Sequence, residues 1–424
     1  MDYYANERWG LGKKILFRFA CLYVLLYTLP EPYSAVPGIS ALGDYFNNFW
    51  NMVTVWFGTT ILSLDGEINT QFMGSSDRLI DYLRVVVCLL ITAAGTLIWS
   101  ILDHRRLNYR KLIYWFRLHL RFFLFATLFV YGISKVIDSQ FLYPNLWRFM
   151  QPLGEASPMG HAWSFTGFSG SYTFFIGMME IIAALLLLFR KTTTLGAFIA
   201  VIVLTNVVAL NFSYDIPVKQ FSIHLLLFAV LLFSNDARRL MHILILNKPV
   251  TPVRYRKVFT DRWDRIGFSA IKIFFAGFIM FSSAMHAWQM NQQTGSEQEK
   301  PYLYGIWNVE SNGSNGSDIP AYDNNPERWR YLIIDNNGDA HIITMNDNRI
   351  RFSAETDSVE AIMELNNGSE QYSFNLNHEG TSLMLTDEMD ENSLTISMNR
   401  YDLHEFLLHS RDFNWIQEFP FDKQ

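Results

Sequence analysis

Six polar or ionisable residues stand in stretches of this sequence that are otherwise apolar: Lys135, Glu180, Asn206, Asn211, Lys219 and His224. The stretches span 112–138, 172–189, 194–212 and 218–234. At about 1.5 Å of rise per residue each can cross about 30 Å of hydrocarbon. A charge at such depth costs about 2.5–3.5 kcal/mol, so each marks a functional site or a paired network.

Glu180 reads as a proton acceptor or ligand contact, or as the structural partner of Lys135 or Lys219. Lys135 is a second proton-handling group, or it snorkels to the headgroups. His224 can transfer a proton or serve as a hydrogen-bonded structural group. These three are the candidate catalytic residues.

The candidate ligand-binding residues are Tyr131, Trp163, Tyr172, Asn211, Asp215 and Lys219. Thr127, Tyr131, Lys135 and Asp138 share one helical face, as do Gln220 and His224. Asn211, Asp215 and Lys219 fall at the turn between two stretches. Asn206 and Asn211 can equally tie helices together, and Trp163 and Tyr172 can equally belong to an interfacial aromatic belt. Almost all of this polarity lies toward one membrane face. The pattern predicts a polar cavity open on that face and closed by apolar packing on the other.

The elements that must position these groups are seven spans, at about 15–29, 80–102, 112–138, 171–189, 194–212, 217–234 and 266–285. Residues 45–64 are also apolar, but Asn47, Asn48, Asn51 and Thr54 interrupt them, which favours an interfacial or re-entrant helix. Lys and Arg concentrate in alternate loops, with eight of them in 235–265, so the N-terminus is expected in the cytoplasm and the C-terminus outside it. An eight-span chain would put that cluster outside. Residues 237–247 read either as a separate amphipathic helix or as a continuation of the sixth span. Lys13 and Lys14 followed by an apolar run imitate a signal peptide, but Pro30-Glu31-Pro32 stands where a cleavage site would be, so the run reads as the first span. Arg117, His119 and Arg121 are expected at the interface, and Arg18 and Lys272 are expected to snorkel.

Residues 1–285 carry 26 Lys and Arg against 16 Asp and Glu, whereas 286–424 carry 8 against 24. A basic membrane part is thus joined to an acidic soluble part, and an overall net charge of −6 gives no basic face for nucleic acid. The two cysteines, Cys21 and Cys88, form neither a disulfide framework nor a metal or haem motif.

After a polar linker at 291–300, short alternating runs separated by turns such as Asn336-Asn337-Gly338 and Asn366-Asn367-Gly368 predict an antiparallel all-β domain, a barrel or a sandwich. Gly305-Ile306-Trp307 is similar to the opening of lipocalin-like barrels. NGSNGS at 312–317 matches glycosylation sequons. The loop 143–172, dense in Trp, Pro and Gly, is expected to fold over the cavity. Four regions follow: N-terminal membrane helices with an outer loop at 1–111, a four-helix membrane core at 112–236, an inner segment with the last span at 237–290, and an extracytoplasmic β-domain at 291–424.

RFFLFATLFVYGISKVIDSQF (121–141) and FIGMMEIIAALLLLFRKTTTLGA (175–197) resemble the DoxX family of bacterial membrane proteins, with Gly177, Glu180 and the following basic turn as the specific part. The resemblance covers about 120 residues. It implies a four-helix unit and redox work with a quinone or other lipophilic ligand in a bacterial inner membrane. Electrons would come from the bound quinone or from a partner redox subunit. Residues 109–141 also resemble the transmembrane domain of vitamin K-dependent carboxylases, which would put Lys135 at a base position. The competing reading is a non-enzymatic membrane anchor or assembly factor whose β-domain binds a lipid, peptide or envelope protein.

Overall fold

The computed structural model describes residues 8–36, 39–251, 261–295, 298, 300–314, 317–320, 328–357, 360–387, 394–411 and 413–418. Arg254, Arg256 and Lys257 of the basic loop, part of the 291–300 linker and part of the 312–317 sequons lie outside the described residues. The chain folds as two compact units, Met1–Phe141 with Pro158–Met290, and Leu142–Ser157 with Asn291–Gln424.

The first unit is helical. Its elements are α1 (Leu11–Thr28), α2 (Ser40–Trp56), α3 (Leu79–Leu102), α4 (Arg110–Val136), α6 (Pro158–Phe168), α7 (Gly170–Leu188), α8 (Thr193–Ser213), α9 (Lys219–Leu244) and α10 (Arg262–Thr294); the short α5 (Leu146–Met150) belongs to the second unit. Among the described residues, seven segments are long and apolar enough to cross a membrane: those of α1, α3, α4, α7, α8, α9 and α10. The interrupted α2 is not one of them. Helix α9 runs unbroken to Leu244, so most of 237–247 continues the sixth span.

Helix α4 is the centre of the bundle. Residues 122–126 are apolar on every side, and Leu120, Leu124 and Phe125 are fully buried, as expected of a helix surrounded by others. It packs most tightly on α7, where Gly132 and Gly177 face each other. A Cβ on Gly132 would lie 2.9 Å from the Gly177 carbonyl oxygen, and one on Gly177 would lie 2.8 Å from the Gly132 carbonyl oxygen. Small residues at such a crossing let two backbones approach.

Two arginines, Arg18 expected to snorkel and Arg121 expected at the interface, are instead enclosed. Arg18 is 1% exposed and donates to the Tyr109 hydroxyl at 2.8 Å, Ser100 Oγ at 2.9 Å and the Asp103 carbonyl at 2.9 Å. Arg121 donates to the carbonyls of Leu187 at 2.8 Å and Leu188 at 2.7 Å. In both cases carbonyls at the C-terminal end of a neighbouring helix replace the headgroups, and a cation there complements the helix dipole.

The second unit is a closed antiparallel barrel. Its strands are β1 (Gly305–Ser314), β2 (Ser317–Pro320), β3 (Trp329–Ile334), β4 (Asp339–Thr344), β5 (Arg349–Asp357), β6 (Ile362–Asn366), β7 (Gln371–Glu379), β8 (Ser382–Asp387) and β9 (Leu394–Arg400). Neighbours in sequence pair from β3 to β9, and β1 pairs with both β3 and β9, closing an eight-stranded ring; β2 adds only to the end of β1. Of the two expected folds, this is the barrel. The Gly turns are positive-φ positions, Gly338 at 71°, Gly368 at 88° and Gly380 at 61°.

Alternate residues point inward and fill the ring. Trp307, Leu332, Ile342, Met363, Phe374, Leu385 and Met398 are at most 1% exposed, so no void beside them admits water. On the outside, Ile306 of β1 and Ile333 of β3 are fully buried, packed with Leu146 of α5. Residues 142–157 are therefore part of the β unit. Leu146, Trp147 and Met150 are an apolar set that matches the outer barrel face.

Candidate functional site

A cavity of about 520 Å³ opens in the helical unit among α1, α3, α4, α9 and α10. It lies at the ends of these helices that are remote from the basic loops. Phe123, Ala126, Val130 and Ile279 give it apolar walls, and Arg84, Tyr131 and Gln220 give it polar ones. Among the described residues, the Arg84 guanidinium, the Tyr131 hydroxyl and the Gln220 amide have no hydrogen-bond partner.

Of the nine candidate site residues, only Tyr131 lines this cavity. Lys135 Nζ donates to Glu180 Oε2 at 2.8 Å and to the Tyr131 carbonyl at 3.2 Å. Both side chains of the pair are buried between α4 and α7. The glycines just described bring α7 close enough for this short bond. Lys135, placed at a base position by the carboxylase resemblance, thus sits in a closed pair.

His224 stands one layer behind the cavity wall. Its ring stacks on Tyr27, a lining residue, with centroids 4.0 Å apart. The Gln220 carbonyl, 2.7 Å from Nδ1, can only accept, so in the neutral ring Nδ1 carries the proton and Nε2 accepts from the Tyr23 hydroxyl at 2.6 Å.

The remaining candidates lie elsewhere. Lys219 pairs with Asp215 at 2.6 Å, and Asp215 is largely exposed. Asn211 is buried, with its Nδ2 lacking an acceptor among the described residues. Trp163 meets Phe141 edge-on at 5.0 Å, and Tyr172 meets Phe165 edge-on at 5.9 Å.

Two residues escaped the sequence reading. Arg84 is a cation about one turn into the second span, and intramembrane depth alone was signal enough to select it. Asp77 looks like a local cap for α3, which follows it. Instead its carboxylate accepts from the Lys219 and Gln220 amides of α9 at 2.7 and 2.9 Å, a cap supplied across the fold.

The β unit has a second, smaller cavity of about 290 Å³, lined by Tyr143, Phe149, Tyr304, Asp335, Phe406 and His409 among others. Burial pushes the Asp335 carboxyl above the usual carboxylate range, against the opposing pull of the Asn336, Leu146 and Trp147 amides. Burial likewise takes Tyr304 up to about 12. Beneath Trp147, at a ring distance of 5.5 Å, burial drives His341 down to about 4, helped by Arg349.

No family model matches the chain, and no solved structure matches it. It is similar to the Uncharacterized protein YwoB of Bacillus subtilis (strain 168), at 38% identity over 132 residues, which are 29% of this chain and 78% of that protein. Identity at that level over most of the relative shows common descent, and the chain belongs to the family of YwoB.

Proposed function

We propose that this protein is a multi-pass membrane protein that takes a lipophilic ligand with a polar head, a quinone or another amphiphile, into the cavity among α1, α3, α4, α9 and α10. The observation that carries the reading is the mixed lining, in which three polar groups without a hydrogen-bond partner among the described residues share one cavity with apolar walls. Arg84, Tyr131 and Gln220 hold the head, and Phe123, Ala126, Val130 and Ile279 take the chain. A quinone fits such a lining, because its carbonyl oxygens accept from these donors; bound there, it would supply the redox chemistry, with a partner subunit exchanging electrons. Glu180 and Lys135 act in this reading as the lock of a DoxX-like unit. The Lys and Arg distribution supports a plasma-membrane location with a cytoplasmic N-terminus and an extracytoplasmic β unit.

The test is mass spectrometry of organic extracts of protein purified in mild detergent, comparing wild type with Ala126→Trp, which fills the cavity. A stoichiometric amphiphile in wild type and its loss from the folded variant is the expected result. Bulk phospholipid alone in both samples overturns the proposal.

The anchor reading, in which the β unit binds an envelope partner, draws support from the aromatic-lined cavity of about 290 Å³. The filled barrel interior leaves no room there for a lipid.

A further inference from the structure

The fold treats the arginines of its helical unit unequally. Arg18 and Arg121 are saturated by hydroxyls and helix-end carbonyls. Arg84 lines the cavity, with its guanidinium 5.4 Å from the centre of the Trp50 ring, and no carboxylate of a described residue lies within ion-pair distance.

The acids nearest to hand are already engaged. Asp81, one turn before Arg84, receives Arg78 Nε at 2.9 Å, its terminal nitrogen at 3.0 Å and its backbone amide at 3.0 Å. Glu31, the other carboxylate in the lining, is exposed and accepts from Ser34 Oγ. A cation at membrane depth without a counterion is costly, and a guanidinium presents a planar fork of donors that fits a phosphate or carboxylate.

We infer that the head bound in this cavity is an anion, a phosphate or carboxylate held by Arg84, in preference to a neutral quinone ring. The inference rests on the cavity being a ligand site, as proposed above. Gln220 and Tyr131 supply neutral donors to the remaining oxygens, and the apolar walls take the chain of a lipid that carries the anion.

The test is native mass spectrometry of the full chain in mild detergent, titrated separately with phosphatidylglycerol, phosphatidylcholine, a long-chain neutral quinone and inorganic phosphate. Wild type is expected to bind phosphatidylglycerol about tenfold more tightly than phosphatidylcholine or the quinone, and Arg84→Gln to bind all three about equally. Should Arg84→Gln not fold, Arg84→Lys, which keeps the charge but not the fork, must still lose several-fold of the preference. Equal competition by inorganic phosphate, sensitive to Arg84, supports the anion contact and assigns it to a soluble anion. Tight quinone binding that is indifferent to Arg84 but abolished by Ala126→Trp overturns the anion and leaves the cavity reading intact. Binding of every probe unchanged in Ala126→Trp overturns both.

Discussion

Removing one member of a buried ion pair leaves the other charged, desolvated and unpartnered, whereas removing both leaves an apolar contact. Lys135 and Glu180, joined at 2.8 Å, are such a pair. Glu180→Gln or Lys135→Met alone is expected to lower stability by about 3–5 kcal/mol, and Lys135→Met with Glu180→Met to restore most of it. Chemical denaturation in detergent reads this directly; a double variant as unstable as the singles would remove the lock. The sequence exposed both residues through their depth, but not their mutual distance, since either lysine, Lys135 or Lys219, was available to Glu180. Geometry chose Lys135, because Lys219 is taken by Asp215. Arg84 was equally legible by depth. Its lack of a hydrogen-bond or ion-pair partner among the described residues was not, since that depends on which groups the other four helices bring to the cavity.

Between elements, the decisive contact is the crossing of α4 and α7. Leu at position 177 would collide with the Gly132 carbonyl and with Lys135 Cβ, each 2.8 Å from a built Cβ, and would push α7 away. In Gly177→Leu, Glu180→Gln should therefore cost at most about 1 kcal/mol more, because the pair is already parted. The same denaturation experiment closes this double-mutant cycle, and an undiminished Glu180→Gln effect would show that the glycines do not set the pair. Apolar length made the seven spans readable from sequence to within a few residues at most ends. The last one runs farther, to Thr294, because the polar residues after 285 continue the helix beyond its apolar window. Asp77 on α9 and Arg121 on α7 stayed hidden, since a cap supplied by another element leaves no local pattern.

At the scale of the whole molecule, period-2 runs and Gly turns gave away the antiparallel β-domain, but neither its closure into a barrel nor the segment 142–157, whose Trp and Pro content also suits a lid. Trp147 of that segment covers His341, and Arg349 lies 3.9 Å from the centre of the Trp147 ring. His341 is held near 4 when covered and returns toward 6.5 when the segment lifts. Between those values the lifted state binds the extra proton, so falling pH favours lifting, by up to about 3 kcal/mol. Limited proteolysis within 142–157 should accordingly quicken as pH drops from 6.5 to 4, and His341→Leu should flatten that dependence. A profile unchanged by the substitution would place the sensitivity elsewhere.

The shared β unit also counts the membrane crossings. Residues 142–157 leave the helical unit after α4, residues 291–424 leave it after α10, and the two fold together. Pieces of one folded body stand on one side of a bilayer, so the chain crosses an even number of times between them. Helices α7, α8, α9 and α10 are four candidates. Leaving out any single one would tear the barrel from its own covering segment. The candidates before residue 142 are α1, α3 and α4, an odd number, which is the parity that the proposed placement of the N-terminal end and the β unit on opposite faces requires.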